Sequence, residues 1–137
     1  MSAFIDELKG EHLAISDCLL KAVQVGIESK QGKGLIISAK QRLLDHLAKE
    51  DKLLYPTLRK AAKNDPKIQK IYDRYAREME EISESVLVFF TLYESEQSNN
   101  DNFQSDCNNI INALSKRIAR EEAVLYKIYD DVNSGKA

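Results

Sequence analysis

Tryptophan is absent from this chain of 137 residues, glycine occurs five times and proline twice. So few backbone breakers exclude a sheet protein built on many tight turns and favour long helices. The longest apolar run is Val86 to Phe90, far short of the roughly 20 residues that cross a bilayer, so no membrane span is expected. No basic stripe is present either. The 20 Lys and Arg are interleaved with 22 Asp and Glu, for a net charge of −2, which argues against nucleic acid as a partner. Residues 1–10 carry no apolar signal core, and a cytoplasmic protein is the expectation. Charged residues make up 31% and hydrophobic residues 43%, enough of each for one soluble, folded domain over 1–137.

Two cysteines, Cys18 and Cys107, are too few for a disulfide framework. In a reducing compartment they are free thiols. If His12 and Glu121 sit level on antiparallel helices, Cys107 lies level with about residue 26. Cys18 is then roughly 12 Å away along the axis, too far for a disulfide.

Histidine is as scarce as cysteine, and both copies fall in one half of an internal repeat. His46-Leu-Ala-Lys-Glu50-Asp-Lys-Leu-Leu-Tyr55 returns as Arg117-Ile-Ala-Arg-Glu121-Glu-Ala-Val-Leu-Tyr126, 71 positions on. Glu11-His12, followed by Ile15-Ser16-Asp17, returns as Glu78-Met79, followed by Ile82-Ser83-Glu84, 67 positions on. Two consecutive segments therefore recur in the same order. The partners of His12 and His46 are Met79 and Arg117.

Four segments carry helical periodicity. The first runs from about Ile5 to Ser29, with Ile5, Leu8, His12, Ile15, Leu19 and Val23 on one stripe. Gly32-Lys33-Gly34 reads as a turn. The second runs from about Leu35 to Lys63, with Ile36, Leu43, His46, Glu50, Leu53 and Thr57 aligned, and Pro56 should bend it. Asp65 as N-cap and Pro66 at the first helical position start the third, which carries Ile68, Tyr72, Tyr75, Met79, Ile82, Val86 and Phe89. Ser98 to Asn102 reads as a polar loop. The fourth runs from about Phe103 to Val132, with Cys107, Ile110, Leu114, Arg117, Glu121, Leu125 and Ile128, and a tail from Asn133 reads as frayed. Four amphipathic helices with short connections predict an all-α, antiparallel up-down-up-down four-helix bundle.

His12, His46, Glu50, Arg117 and Glu121 all interrupt apolar stripes. Charged groups are rarely buried unless they are paired or hold a metal. His46 and Glu50 share a helix face, Arg117 and Glu121 repeat that spacing, and His12 faces them from another helix. Imidazole and carboxylate on facing helices suit zinc or iron.

With those residues in view, the chain resembles the hemerythrin-like, or HHE cation-binding, proteins. The resemblance rests on one His in the first helix, His46-xxx-Glu50 followed by Leu-Leu-Tyr-Pro56, and the echo Glu121-Glu122-xx-Leu-Tyr126. It implies two irons between the helices in typical members. One iron's histidines match His12 and His46, and the bridging carboxylates match Glu50 and Glu121. The other iron's histidine positions hold Tyr75, Met79 and Arg117. Reversible dioxygen binding in the family uses both irons, so the resemblance implies that this activity is impaired or lost here. Arg117 repels a second cation and can bond the bridging carboxylates itself, while Met79 is an apolar filler.

Three functions follow as expectations. One is a metal-binding or sensing protein with at most one iron or zinc ion, and perhaps a small ligand, at His12, His46, Glu50 and Glu121. Another is a metal-free regulatory or interaction bundle, in which Arg117, the carboxylates and a protonated imidazole close a salt-bridge network; a protein partner or a second copy of the chain suits it. The third and weakest is a mononuclear non-haem iron enzyme, so the expectation is no catalytic residue and no enzyme.

Overall fold

The computed structural model describes residues 3–94 and 102–133. The expected polar loop before Asn102 and the tail after Asn133 lie outside the described residues. Among those described, every element is helical. They are α1 (Ala3–Val25), α2 (Lys30–Lys49), α3 (Tyr55–Ala62), α4 (Pro66–Tyr93), α5 (Phe103–Arg120) and α6 (Tyr126–Asn133). Two π-helical turns, Glu50–Leu54 and Glu121–Leu125, join α2 to α3 and α5 to α6. The result is four rods, as the stripes predict.

Contacts between the rods run in opposite order along neighbours. His12 meets His46 while Cys18 meets Ser38, and Arg120 meets Glu78 while Asp106 meets Tyr93. Lys40 meets Glu94 while Tyr55 packs on Tyr72. The antiparallel pairing of α1 with α2, of α4 with α5 and of the second rod with α4 follows.

Ends are set by local chemistry. Asp65 caps α4 by accepting the Lys67 backbone N–H, with Pro66 in the first turn. The turn between α1 and α2 is not where the glycine pair suggested. Gly26 has φ 82°, the left-handed conformation that ends a helix, and Ser29 caps α2 by accepting the Gly32 N–H at 3.0 Å. Gly32 is instead a buried helical residue. A Cβ there would lie 1.6 Å from the Gly26 carbonyl oxygen, so glycine serves close approach and not the turn itself.

Two apolar clusters stack along the rods. One includes Ile15, Leu19, Ile36, Leu43, Phe90, Phe103 and Leu114. The other includes Ile5, Leu8, Leu54, Leu58, Tyr75, Leu125 and Tyr126. Each fully buried Leu or Ile is worth about 1.5–3 kcal/mol. Between the clusters, in sequence order on every contributing rod, lies a belt of five buried polar side chains: His12, His46, Glu50, Arg117 and Glu121.

Three stripe positions shift. Ala22, not Val23, is buried at the end of α1. Past Glu50, Leu54 and Leu58 are buried, whereas Leu53 is 47% exposed and Thr57 is not in the core. The wider π turn inserts one residue into the helical repeat and moves every later side chain round by one place. The cysteines are free, as expected, but not for the distance expected. Cys107 Sγ is 3.8 Å from the Leu19 carbonyl oxygen, next along the chain from Cys18. Facing keeps them apart, because Cys18 turns toward Ser38 on α2.

Candidate metal centre

His12 on α1 and His46 on α2 meet through their Nε2 atoms at 3.0 Å. Each ring is held from behind. His46 Nδ1 lies 2.7 Å from Glu11 Oε1, and His12 Nδ1 lies 3.1 Å from Glu122 Oε2. Carboxylates only accept when ionised, so each ring donates its Nδ1–H. In neutral rings the Nε2 lone pairs then face each other at 3.0 Å, an arrangement that calls for a proton between them or a cation beside the line that joins them. Glu50, one helical turn from His46, places Oε1 at 3.2 Å from His46 Nε2. The Tyr126 hydroxyl lies 3.1 Å from His12 Nε2 and donates to Glu50 Oε2 at 3.1 Å. That leaves Glu50 Oε1 buried, with no hydrogen-bond partner among the described residues.

The other half repeats the plan with different side chains. Glu78, the partner of Glu11, faces Arg117, with Oε2 at 3.5 Å from Nη1. It also pairs with Arg120 at 2.7 Å, as Glu11 pairs with Lys49. Arg117 Nε lies 3.5 Å from Glu121 Oε1, and Nη2 donates to the Tyr55 hydroxyl at 3.3 Å. The guanidinium also sits 4.7 Å from the Tyr75 ring centroid, a cation–π contact. Nε and Nη1 of Arg117, and Oε2 of Glu121, lack hydrogen-bond partners among the described residues.

Burial sets the electrostatics. It raises Glu50, against hydrogen bonds from Glu121 and Tyr126. Burial, then the Glu50 charge, push Glu121 up to about 8. Burial, then His46, lower His12, against the pull of Glu122. At the surface, burial alone would raise Glu11, but Lys49 and His46 outweigh it and hold that carboxyl low. Burial likewise raises the Tyr126 phenol, which donates to Glu50 as a neutral hydroxyl.

The five belt residues expected to converge do so, with Tyr75 beside them. Met79 is half-buried and lines a cleft with Asp51, Tyr55, Tyr72 and Ser83; its neighbour on α4, Glu78, faces Arg117. Sequence reasoning missed Glu11, Glu78, Glu122, Tyr55 and Tyr126 as parts of the site. Four of these five are identical between the two repeats, Glu11 with Glu78 and Tyr55 with Tyr126, and that identity was the available signal.

Two imidazole nitrogens bound at about 2.1 Å and roughly 90° to one ion lie about 3.0 Å apart, the separation of His12 and His46 Nε2. Chemistry and the orphaned Glu50 oxygen therefore suit one ion beside the histidines. Spacing is tighter than a ligand cage: among the described residues no group of three or more His, Cys, Asp and Glu is arranged to hold a metal. The corresponding place in the other half is met by Arg117, a buried fixed charge.

The chain matches the hemerythrin HHE cation binding domain model over residues 3–129, nearly its whole length. It belongs to the hemerythrin family. No curated protein and no solved structure gives a match. Among the described residues no helix is long and apolar enough to cross a membrane.

Proposed function

We propose that this chain is a cation-binding or sensing member of its family that takes at most one ion, iron or zinc, at His12, His46 and Glu50, with Glu121 alongside. The observation that carries the reading is the meeting of two Nε2 lone pairs beside the orphaned Glu50 Oε1. When bound, such an ion supplies a fixed positive charge that ionises the carboxylates and a centre where a small ligand can attach. The chain's own residues do the rest. Glu11 and Glu122 hold the rings, Tyr126 fixes one Glu50 oxygen and frees the other, and Arg117 supplies in the second half the charge that a second ion would bring. Reversible dioxygen binding, which needs two irons, does not fit that half.

A second reading has its own support. Arg117, Glu121, Glu78 and Tyr55 already form a buried polar network, and the histidines already have partners. A metal-free regulatory bundle, with a protein partner or a second copy of the chain, would keep this belt for helix register alone. Elemental analysis of the purified protein, with calorimetric titration of Zn²⁺ and of Fe²⁺ under anaerobic conditions, separates the two. One ion per chain is expected. No binding up to millimolar ion favours the metal-free network, and two tightly bound irons overturn both.

A further inference from the structure

Glu11 and Glu122 flank the centre from opposite sides, and neither touches the point where the Nε2 atoms meet. Glu11 reaches His46 from its own surface of the bundle, where Lys49 clamps its second oxygen and is itself held by Glu7 at 2.7 Å. Glu122 reaches His12 from the groove between α1 and α5, lined by Leu13, Ser16, Ser115 and Ile118. Both carboxylates are partly exposed, at 26% and 32% of the side chain, while the imidazoles they grip are nearly inaccessible.

We propose that Glu11 and Glu122 are positioning residues that lock both imidazoles in the Nδ1–H tautomer, so that both Nε2 lone pairs are aimed at one cation. This rests on the cation reading above and names what makes the site competent. An imidazole free to choose its tautomer in water favours Nε2–H, which would present a proton to the ion in place of a lone pair. Two rings that had to be corrected together would bind poorly. The carboxylates hold the correction in place before any ion arrives, and the Lys49 clamp keeps Glu11 ionised and aimed. Outer carboxylates of this kind are commonly worth about 10–100-fold in metal affinity.

The repeat offers a contrast. Glu78, in the place of Glu11, faces Arg117 at 3.5 Å, where Glu11 bonds His46 at 2.7 Å. A guanidinium has no tautomer to choose, so in that half the same carboxylate only pairs charge. In the histidine half it selects a proton position.

The test uses the full chain, wild type, Glu11→Gln and Glu122→Gln. Imidazole ¹⁵N shifts of the metal-free protein, labelled at histidine, read the tautomers directly. Zn²⁺ titration reads affinity, and metal-free thermal melting reads the fold. Both wild-type rings are expected as Nδ1–H, each Gln variant is expected to release its own ring to mixed tautomers, and Zn²⁺ affinity is expected to fall about 10–100-fold with little change in melting. Unchanged affinity in both variants, or wild-type rings protonated at Nε2, overturns the proposal while the cation reading stands. If wild type binds no Zn²⁺, the cation reading fails and the ¹⁵N shifts alone decide the tautomer lock. If a Gln variant fails to fold, the wild-type shifts decide it in the same way.

Discussion

Glu11 and Glu78 occupy equivalent places in the two halves of the bundle and face different chemistries. Glu11 accepts from an imidazole that keeps a second nitrogen for the centre. Glu78 faces a guanidinium that brings its own charge and leaves no lone pair. The rest of each half is closely matched, since Lys49 and Arg120 clamp the two glutamates, and a π turn opens at Glu50 and again at Glu121. One plan therefore serves two solutions to the same problem, which is how to keep two carboxylates buried together. On the reading proposed above, one half leaves the counter-charge to be bound, and the other has it built in.

The sharpest way to break that comparison is to restore the lost imidazoles. Arg117→His together with Met79→His removes the built-in charge and offers two nitrogens. Iron capacity, read by elemental analysis, is expected to rise from at most one toward two. If the double variant still holds no more than wild type, Arg117 and Met79 are not what limits the second half.

Removing the charge without a replacement tests the same point through stability. Arg117 is 2% exposed and faces Glu78 and Glu121. Above pH 8, where Glu121 is ionised, Arg117→Met leaves that buried carboxylate without its cation, and breaking a buried pair in this way costs about 3–5 kcal/mol. Urea unfolding of the metal-free protein measures it. A loss below about 1 kcal/mol would mean that the pair contributes no more than a surface one.

The acid side of the pair predicts a pH response. Glu121 is raised to about 8 from an ordinary value of 4.5. The folded chain keeps a proton there that the unfolded chain releases, so this contribution is full below the ordinary value and lost as pH rises through the folded one. His12, lowered from 6.5, works in the opposite sense, and its contribution is already complete at neutral pH. From about pH 7 to 8 the metal-free protein should therefore lose roughly 1 kcal/mol and several degrees of melting temperature. A loaded ion would ionise the carboxylates and flatten the curve. A melting temperature that rises over this range without metal would show that Glu121 is already ionised.

These contrasts were partly legible in the sequence. The four rods, the Asp65 cap and the five-residue belt follow from periodicity, because a charged residue on an apolar stripe has few places to go. The ring-holding carboxylates were not legible in that way. Glu11 and Glu122 lie off the stripes, and a partly exposed glutamate reads as surface until the imidazole behind it is seen. Gly26 was missed because Gly32 and Gly34 form the denser glycine signal, yet φ at Gly26 ends the helix while Gly32 yields space to its carbonyl. The buried faces beyond Glu50 and Glu121 also respond to the π turns, which no 3.6-residue pattern contains.

The smallest expected effect concerns the origin of those turns. Pro56 follows the first π turn and lacks a backbone donor, so it invites the inference that proline forces the wider turn. The second half argues otherwise. Its π turn spans Glu121–Leu125, the Tyr126 N–H bonds the Glu121 carbonyl as the Tyr55 N–H bonds that of Glu50, and the residue in the place of Pro56 is Lys127. What the two turns share is a buried glutamate at the first position and a leucine and a tyrosine that pack together in one apolar cluster. The turn therefore follows from aiming the glutamate into the belt while keeping Leu and Tyr in the core. Pro56→Ala should cost less than about 1 kcal/mol, the scale of the unfolded-state entropy that proline removes, and should leave cation affinity unchanged. A loss of several kcal/mol, or of the ion, would show that the two halves reach the same turn by different means.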